Sequence, residues 1–450
     1  MKNIFLFLSM ILISSSLFAT DSLTLPQAIQ EGIEHSPYLK LQEKNIQAKE
    51  ADLRKAWAPI YPTLQLEAGR LRQSKTNYFT EFWKKKFDAT GNPGVQSINT
   101  ANEQNHMFWD IGGRVNVFRG FGDLHNVKEK NRSLEAAQFS KALEKNDLIY
   151  NIIETYIEIL NLENTLSYIT KAKKTAQEEV QNLKKRYEVQ LSPKTEVERA
   201  EETLLETEWK EAEANQALEI AEHHFNQLLG RETYSSLKTV PLKLKTDLEI
   251  KDLKYYLDKL SSNLNIQKLR TELEKDKFKR RKTYAQHLLM PNVAFEYNYE
   301  ERGRAVKVFE PGWKFGFVTK IPLFDGLKNS GDYRKAQALF ESTQVKERLT
   351  TQSVEIEIKR NYYEWHTKEK QIAYLNKKRA RQQGTFEKTR KALDQKAATI
   401  TQLHVTEVDV LETETELINK HREQFLNYVA LQKLIGEMNH EELIRMAFKP

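Results

Sequence analysis

Trp313-Lys314-Phe315-Gly316-Phe317-Val318-Thr319-Lys320-Ile321-Pro322-Leu323-Phe324-Asp325-Gly326 is the stretch on which the reading of this chain turns. In an extended chain, Trp313, Phe315, Phe317, Thr319, Ile321 and Leu323 fall on one side, and Lys314, Gly316 and Lys320 on the other. Period-two alternation with aromatics on the apolar side predicts a transmembrane β-strand. The same alternation suits a soluble amphipathic sheet laid on helices, and the strands alone do not separate the two. The closing Phe324-Asp325-Gly326 is answered by Phe118-Arg119-Gly120, 206 residues earlier. That offset also relates Val115 to Ile321, Tyr156 to Tyr362, Glu201 to Glu407, Leu205 to Leu411 and Gly230 to Gly436. The chain therefore carries two copies of one unit, and function is to be sought in that unit.

Three further segments alternate in the same way. Asn292–Glu300 sets Val293, Phe295, Tyr297 and Tyr299 against Asn292, Glu296, Asn298 and Glu300. In the first copy, Met107, Trp109, Ile111, Val115 and Val117 oppose Asp110, Arg114 and Asn116, and Leu64, Leu66 and Ala68 begin a weaker strand. The expected lipid-facing residues are Trp109, Ile111, Val115, Val117, Val293, Phe295, Tyr297, Trp313, Phe315 and Phe317. A polar loop of about Ser74–Gln104 joins the first pair, and a short one, about Arg302–Pro311, the second.

The remainder reads as helix. Gly and Pro number only 16 and 11 in 450 residues, hydrophobic residues make up 39%, and charged ones 30%. That composition suits long helices rather than a thick globular core. Asp123–Tyr187 contains neither Gly nor Pro and predicts a helix roughly 95–100 Å long at ~1.5 Å per residue. Narrow apolar stripes, Ile152-Tyr156-Ile159-Leu166 and Ile358-Tyr362-Trp365-Ile372-Leu375, read as packing seams between paired helices.

The expected boundaries follow. Residues 1–19 form a signal peptide, with Lys2 before the apolar run Ile4–Ile13 and small residues to Ala19. Residues 20–236 are the first repeat: a helix from about Thr24 to Ala58, a β-hairpin at about 62–118 and a helical hairpin at 123–230. A linker spans 237–252. The second repeat, 253–436, has a helix from about Leu253 to Leu289, a β-hairpin at about 291–324 and a helical hairpin at 332–436, before a tail at 437–450. The expected class is mainly α with a β-barrel part: long antiparallel helical hairpins plus four transmembrane strands.

Several chemistries find no residues. Cys is absent, which excludes disulfides, thiolate metal sites and an N-terminal lipoprotein anchor. Adjacent His223 and His224 point about 100° apart on a helix and lack companions, so no metal site is expected. There is no GxSxG, HExxH or phosphate loop, so neither enzyme nor cofactor is expected. The net charge of +7 comes from 70 basic and 63 acidic residues mixed in sign, which does not suit nucleic acid.

Certain motifs in their order resemble the TolC-like outer-membrane efflux proteins. They are Leu23-Thr24-Leu25-Pro26-Gln27-Ala28, the entry prolines Pro62 and Pro291, Arg186-Tyr187-Glu188-Val189 with Ser192 and Glu196-Val197, Leu228-Leu229-Gly230 and Ile321–Gly326. The resemblance covers about residues 22–436. It implies a homotrimer whose subunits each give four strands to a twelve-stranded barrel in outer-membrane lipid. A helical tunnel then continues through the periplasm of a Gram-negative bacterium. It further implies a passive exit duct for drug efflux or type I secretion, docked onto an inner-membrane transporter and a periplasmic adaptor. The competing reading is a soluble periplasmic coiled-coil scaffold or transport adaptor. Candidates for the periplasmic entrance lie just past the helical turns: Glu196 and Glu201 in the first copy, His404 and Glu407 in the second. The resemblance favours the second hairpin as the inner one, although His404 stands where it leads one to expect an acid.

Overall fold

The computed structural model describes residues 23–74, 103–241, 249–288, 290–303, 309–395, 397–398 and 400–439. The signal segment, most of the first hairpin loop, the tip of the second and the C-terminal tail from residue 440 lie outside them. The elements in order are α1 (Leu25–His35), α2 (Pro37–Trp57), a 3-10 turn, β1 (Thr63–Ser74), β2 (Glu103–Arg119), α3 (Gly122–Glu188) and α4 (Lys194–Leu229). After the linker come α5 (Leu253–Asp258), a second 3-10 turn, α6 (Leu264–His287), β3 (Asn292–Gly303), β4 (Phe309–Lys320), α7 (Lys328–Asp394) and α8 (Ile400–Leu434).

The duplication is written in the backbone. Helices α3 and α7 have 67 residues each and begin 206 positions apart. Gly120 and Phe121 (φ 63° and 62°) recur as Gly326 and Leu327 (both 66°), and Gly230 (77°) recurs as Gly436 (73°). Left-handed Phe and Leu are sterically disfavoured. Their repetition marks a constrained strand-to-helix joint.

Each first helix differs from expectation. The pattern from Thr24 to Ala58 is two helices, because Pro37 has no N–H to continue the ladder and pushes Ser36 into an extended conformation (ψ 130°). The pattern from Leu253 breaks at Asn263, whose Oδ1 accepts the N–H groups of Asn265 (2.9 Å) and Ile266 (3.2 Å) and so starts a new helix. Strand β3 runs to Gly303 and β4 spans Phe309–Lys320, so Arg302, Glu310 and Pro311 belong to strands rather than to the loop, and Ile321 and Leu323 lie past the end of β4. Helix α7 begins at Lys328, ahead of the expected Asp332.

Contacts divide the chain into two compact units, each drawing on both repeats. One holds Ile46–Ala136 and Leu269–Lys346, with the four strands. The other holds Ala137–Lys268, the chain up to Asn45 and the chain from Glu347 on. The main apolar core lies in this helical unit: Ile152, Ile153, Tyr156 and Ile159 of α3 meet Phe225 and Leu229 of α4 and Val429 of α8. The buried Tyr156 hydroxyl sits 2.9 Å from the carbonyl oxygen of Leu23 and 2.8 Å from that of Val240, and accepts Val240 N–H at 3.0 Å. It thereby ties the linker to the core, and burial pushes its pKa up to about 12. Arg231 clasps Glu31 with two bonds of 2.6 and 2.7 Å. Arg422, nearly fully buried, donates to Asn161 Oδ1 at 2.5 Å. Burial pushes its pKa down to about 10, against the pull of Glu163 and Tyr156, so it stays charged at neutral pH.

Candidate functional site

The strands form one antiparallel sheet in the order β1-β2-β3-β4. Directly paired residues of an antiparallel sheet share a face. The register builds three rows on one face: Val115–Phe295–Phe317, Leu64–Gly113–Tyr297–Phe315 and Leu66–Ile111–Tyr299–Trp313. Ring centroids lie 5.4 Å apart for Phe295 and Phe317 and 5.5 Å for Trp313 and Phe315. Trp313, Phe315 and Phe317 remain 62–71% exposed. An aromatic face of that extent calls for an apolar medium or a partner.

Two residues depart from simple alternation. The β2–β3 register slips between Asn116 and Phe118. Val117 is therefore the extra residue of a bulge, and Phe118 takes the place across from Val293. Glu301, which the sequence reading left unassigned, pairs with Trp109 on the aromatic face. Its carboxylate accepts Trp109 Nε1–H at 2.9 Å and the Tyr299 hydroxyl at 2.8 Å. The signal was the doublet Glu300-Glu301, since period-two geometry sends one acid to each face.

The opposite face is polar. Its rows are Gln65–Gly112–Asn298–Lys314, Thr63–Arg114–Glu296–Gly316 and Glu67–Asp110–Glu300–Gly312. Arg114 pairs with Glu296 at 3.3 Å. Gly112 leaves room for Asn298, whose Oδ1 would stand 2.8 Å from any β-carbon there. One face for hydrocarbon and one for water is what a barrel wall with an aqueous lumen requires. Among the described residues no helix is long and apolar enough to cross a membrane.

The helical turns are built differently in the two copies. In the first, left-handed Gln190 (φ 59°) lets Leu191 N–H reach Arg186 O at 2.7 Å, closing α3, and Pro193 precedes α4. Ser192, Val197 and Ala200 are buried between the helices. Glu196 is exposed, whereas Glu201 is bound to Lys184 across the hairpin at 2.7 Å. The two acids are five positions apart on α4 and do not share a face. In the second copy, an open groove of about 530 Å³ lies between α7 and α8, lined by residues that include Lys388, Ala392, Gln402, Val405 and Thr406. Glu407 is exposed on α8. His404 is three residues before it, a spacing that shares a helix face, but its side chain lies outside the described residues. Lys396 and Thr399 of that turn also lie outside them. Among the described residues no group of three or more His, Asp or Glu side chains could hold a metal ion.

A search of curated protein sequences returns no match. Solved structures match closely in shape. The outer membrane protein VceC of Vibrio cholerae superposes with a TM-score of 0.73 at 16% identity, covering 92% of this chain and 96% of that one. The Campylobacter jejuni CmeC outer membrane channel gives 0.73 at 12% identity, covering 94% and 88%. The Neisseria gonorrhoeae MtrE outer membrane channel, solved in its open state, gives 0.70 at 14%, covering 92% and 88%. Nothing in these matches favours a soluble scaffold or adaptor. The sequence profile of outer membrane efflux proteins matches residues 28–231 and 258–437, both repeats almost entire. This chain belongs to the outer membrane efflux protein family, channels that sit in the outer membrane, extend into the periplasm and serve export across that membrane.

Proposed function

We propose that three copies of this chain close a twelve-stranded barrel and form a passive exit duct, with the helical turns docked to an inner-membrane transporter through a periplasmic adaptor. One observation carries the reading: the sheet ends in two open edges, β1 and β4, while its outer face is aromatic. Open edges are not tolerated in lipid, and the smallest membrane barrels have about eight strands. Four strands therefore require other copies, and the resemblance sets the number at three. The aromatic face then meets lipid and the polar rows line the lumen. The Arg114–Glu296 pair and the mixed polar side chains of these rows offer little to select a substrate, which suits a duct whose specificity resides in its transporter.

The second hairpin is the proposed movable wall of the periplasmic entrance. Its open groove, set against the packed Ser192, Val197 and Ala200 of the first, supports that choice. Glu407 is then the first candidate for an entrance ring and His404 the second, with Glu196 next. Glu201, on the same helix as Glu196, follows it.

Light scattering of the detergent-extracted protein tests assembly. A mass of three chains that falls to one on heating is expected. A monodisperse monomer recovered from the soluble periplasm would overturn the reading.

A further inference from the structure

Where the strands give way to helix, two exposed stripes change character in the same direction. On α6, Lys277, Arg281, Tyr284 and Leu288 follow one another at spacings of four, three and four and are all exposed. Leu288 continues the helical geometry through its bond to Tyr284 O (3.1 Å), just before β3 begins at Asn292. On α3, Leu124, Lys128 and Asn131 follow at spacings of four and three and are likewise exposed, running away from the end of β2, with the exposed Phe121 just ahead of the helix. Both stripes are apolar beside the strands and cationic farther off, about 6 Å beyond Leu124 at 1.5 Å per residue in the case of Lys128.

The stripes meet at Phe278. Lys128 Nζ lies 5.7 Å and Arg281 Cζ 6.0 Å from its ring centroid. Neither cation has a carboxylate partner among the described residues. The nearby acids are engaged elsewhere, Glu129 with Lys282 (3.6 Å), and Glu135 and Glu274 with Arg132 (2.5 and 2.8 Å). The surplus charge is felt by His125, stacked on Phe278, whose pKa is held below the ordinary value by burial and by Arg281 and Lys128. A groove of about 560 Å³ opens at Lys128 and Phe278, with an apolar lining of Leu53, Trp57, Leu124 and Val127 and a polar one of Asn131 and the ion-paired Arg132; Arg281 is not in its wall and reaches Phe278 from α6.

We infer that this groove holds an anionic phospholipid of the periplasm-facing leaflet, its phosphate between Lys128 and Arg281 and an acyl chain along Leu124 and Trp57. The polarity gradient argues for a lipid: chains point to the bilayer and the head group to the periplasm. A second protein chain has no need of such a gradient. The two unneutralised cations argue for an anionic head group over a zwitterionic one. The assignment rests on the membrane placement of the strands.

The full-length protein is reconstituted in phosphatidylethanolamine with phosphatidylglycerol, and lipids retained after mild extraction are read by native mass spectrometry. The parent is expected to retain phosphatidylglycerol in excess of its share. The Lys128→Gln/Arg281→Gln variant is expected to lose that preference by about tenfold or more, from roughly fivefold per basic residue near a membrane surface. Lys210→Gln, an exposed cation on α4, is expected to leave it unchanged. Equal retention by parent and double variant would overturn the site. The cysteine-free chain permits a second measurement, a fluorophore on Leu124→Cys. Stronger quenching by spin-labelled phosphatidylglycerol than by spin-labelled phosphatidylcholine supports the site. Equal quenching overturns it, as does efficient Leu124→Cys cross-linking between copies, which would assign the groove to a neighbouring subunit. A parent that conducts as a channel without lipid preference refutes only the site. A parent that never enters the membrane refutes the channel reading.

Discussion

Gly230 passes so close to His35 that a β-carbon on it would stand 2.6 Å from the His35 carbonyl oxygen. The counterpart 206 residues on behaves alike: a β-carbon on Gly436 would stand 2.7 Å from Ser262 O. Each return helix thus ends in a left-handed glycine pressed against the backbone that closes the repeat's first helical segment. Gly230→Ala is expected to destabilise the protein by at least ~1 kcal/mol, from left-handed strain and the backbone clash together. Gly384, mid-helix in α7 with open space around it, makes the contrast: Gly384→Ala is expected to stabilise by about 0.5–1 kcal/mol. Thermal unfolding of the two variants against the parent reads both signs, and a Gly230→Ala protein as stable as the parent would refute the close approach.

The two faces of the sheet are expected to respond oppositely to charge. Phe317→Arg places a cation in the aromatic row with Phe295 and Val115, proposed to face lipid, and is expected to impair membrane assembly by roughly 2–4 kcal/mol per subunit. Lys314→Gln, in the row with Asn298 and Gly112, is expected to assemble normally. Heat-modifiable mobility of the assembled species distinguishes the two. Equal damage would mean that the register is displaced by one residue.

At the entrance, planar-bilayer recording separates the candidates. Glu407→Ala is expected to lower cation preference, since a ring of like carboxylates filters by charge. His404→Ala is expected to flatten any pH dependence of conductance between about pH 5 and 8, where histidine titrates. Parent-like conductance from both variants at every pH would remove the second hairpin from the entrance.

Acid sensitivity is expected to pass partly through Glu423. Burial raises its pKa, but Lys368 Nζ at 2.5 Å and Lys420 Nζ at 2.9 Å outweigh this and hold it below the ordinary carboxylate value. A depressed folded pKa contributes stability above the unfolded value and loses it as pH falls through the folded one. The parent's stability is therefore expected to decline below about pH 4.5, and Glu423→Gln to decline less steeply there. Parallel denaturation curves across that range would show that the ion pair contributes nothing.

Much of this was legible in the residues. The alternation at Trp313–Lys320 marked a strand because side chains of an extended chain alternate whatever surrounds them, although the strand stops short of the expected Leu323. The uninterrupted Asp123–Tyr187 marked a long helix because no Gly or Pro broke the hydrogen-bond ladder. What was missed is instructive. The interruptions at Ser36-Pro37 and Asn263 were hidden by apolar patterns that continue across them. The doublet Glu300-Glu301 placed one acid on the aromatic face, with Tyr299 two residues away on the same strand, but the partner Trp109 came from 192 residues away and left no mark in the local pattern.

The sequence by itself determined the duplicated unit, the long helices and strands of each copy and the alternation of apolar and polar side chains along the strands, since repeats and periodicity are local properties of a chain. Only the tertiary structure decided the bulge at Val117, the pairing of Glu201 with Lys184, the burial of Arg422 and the meeting of Lys128 and Arg281 over Phe278. Each of these depends on which segment lies opposite, at a separation of 17 to more than a hundred residues. Periodicity along one segment carries no record of its neighbour's register, and a one-residue slip there exchanges every partner.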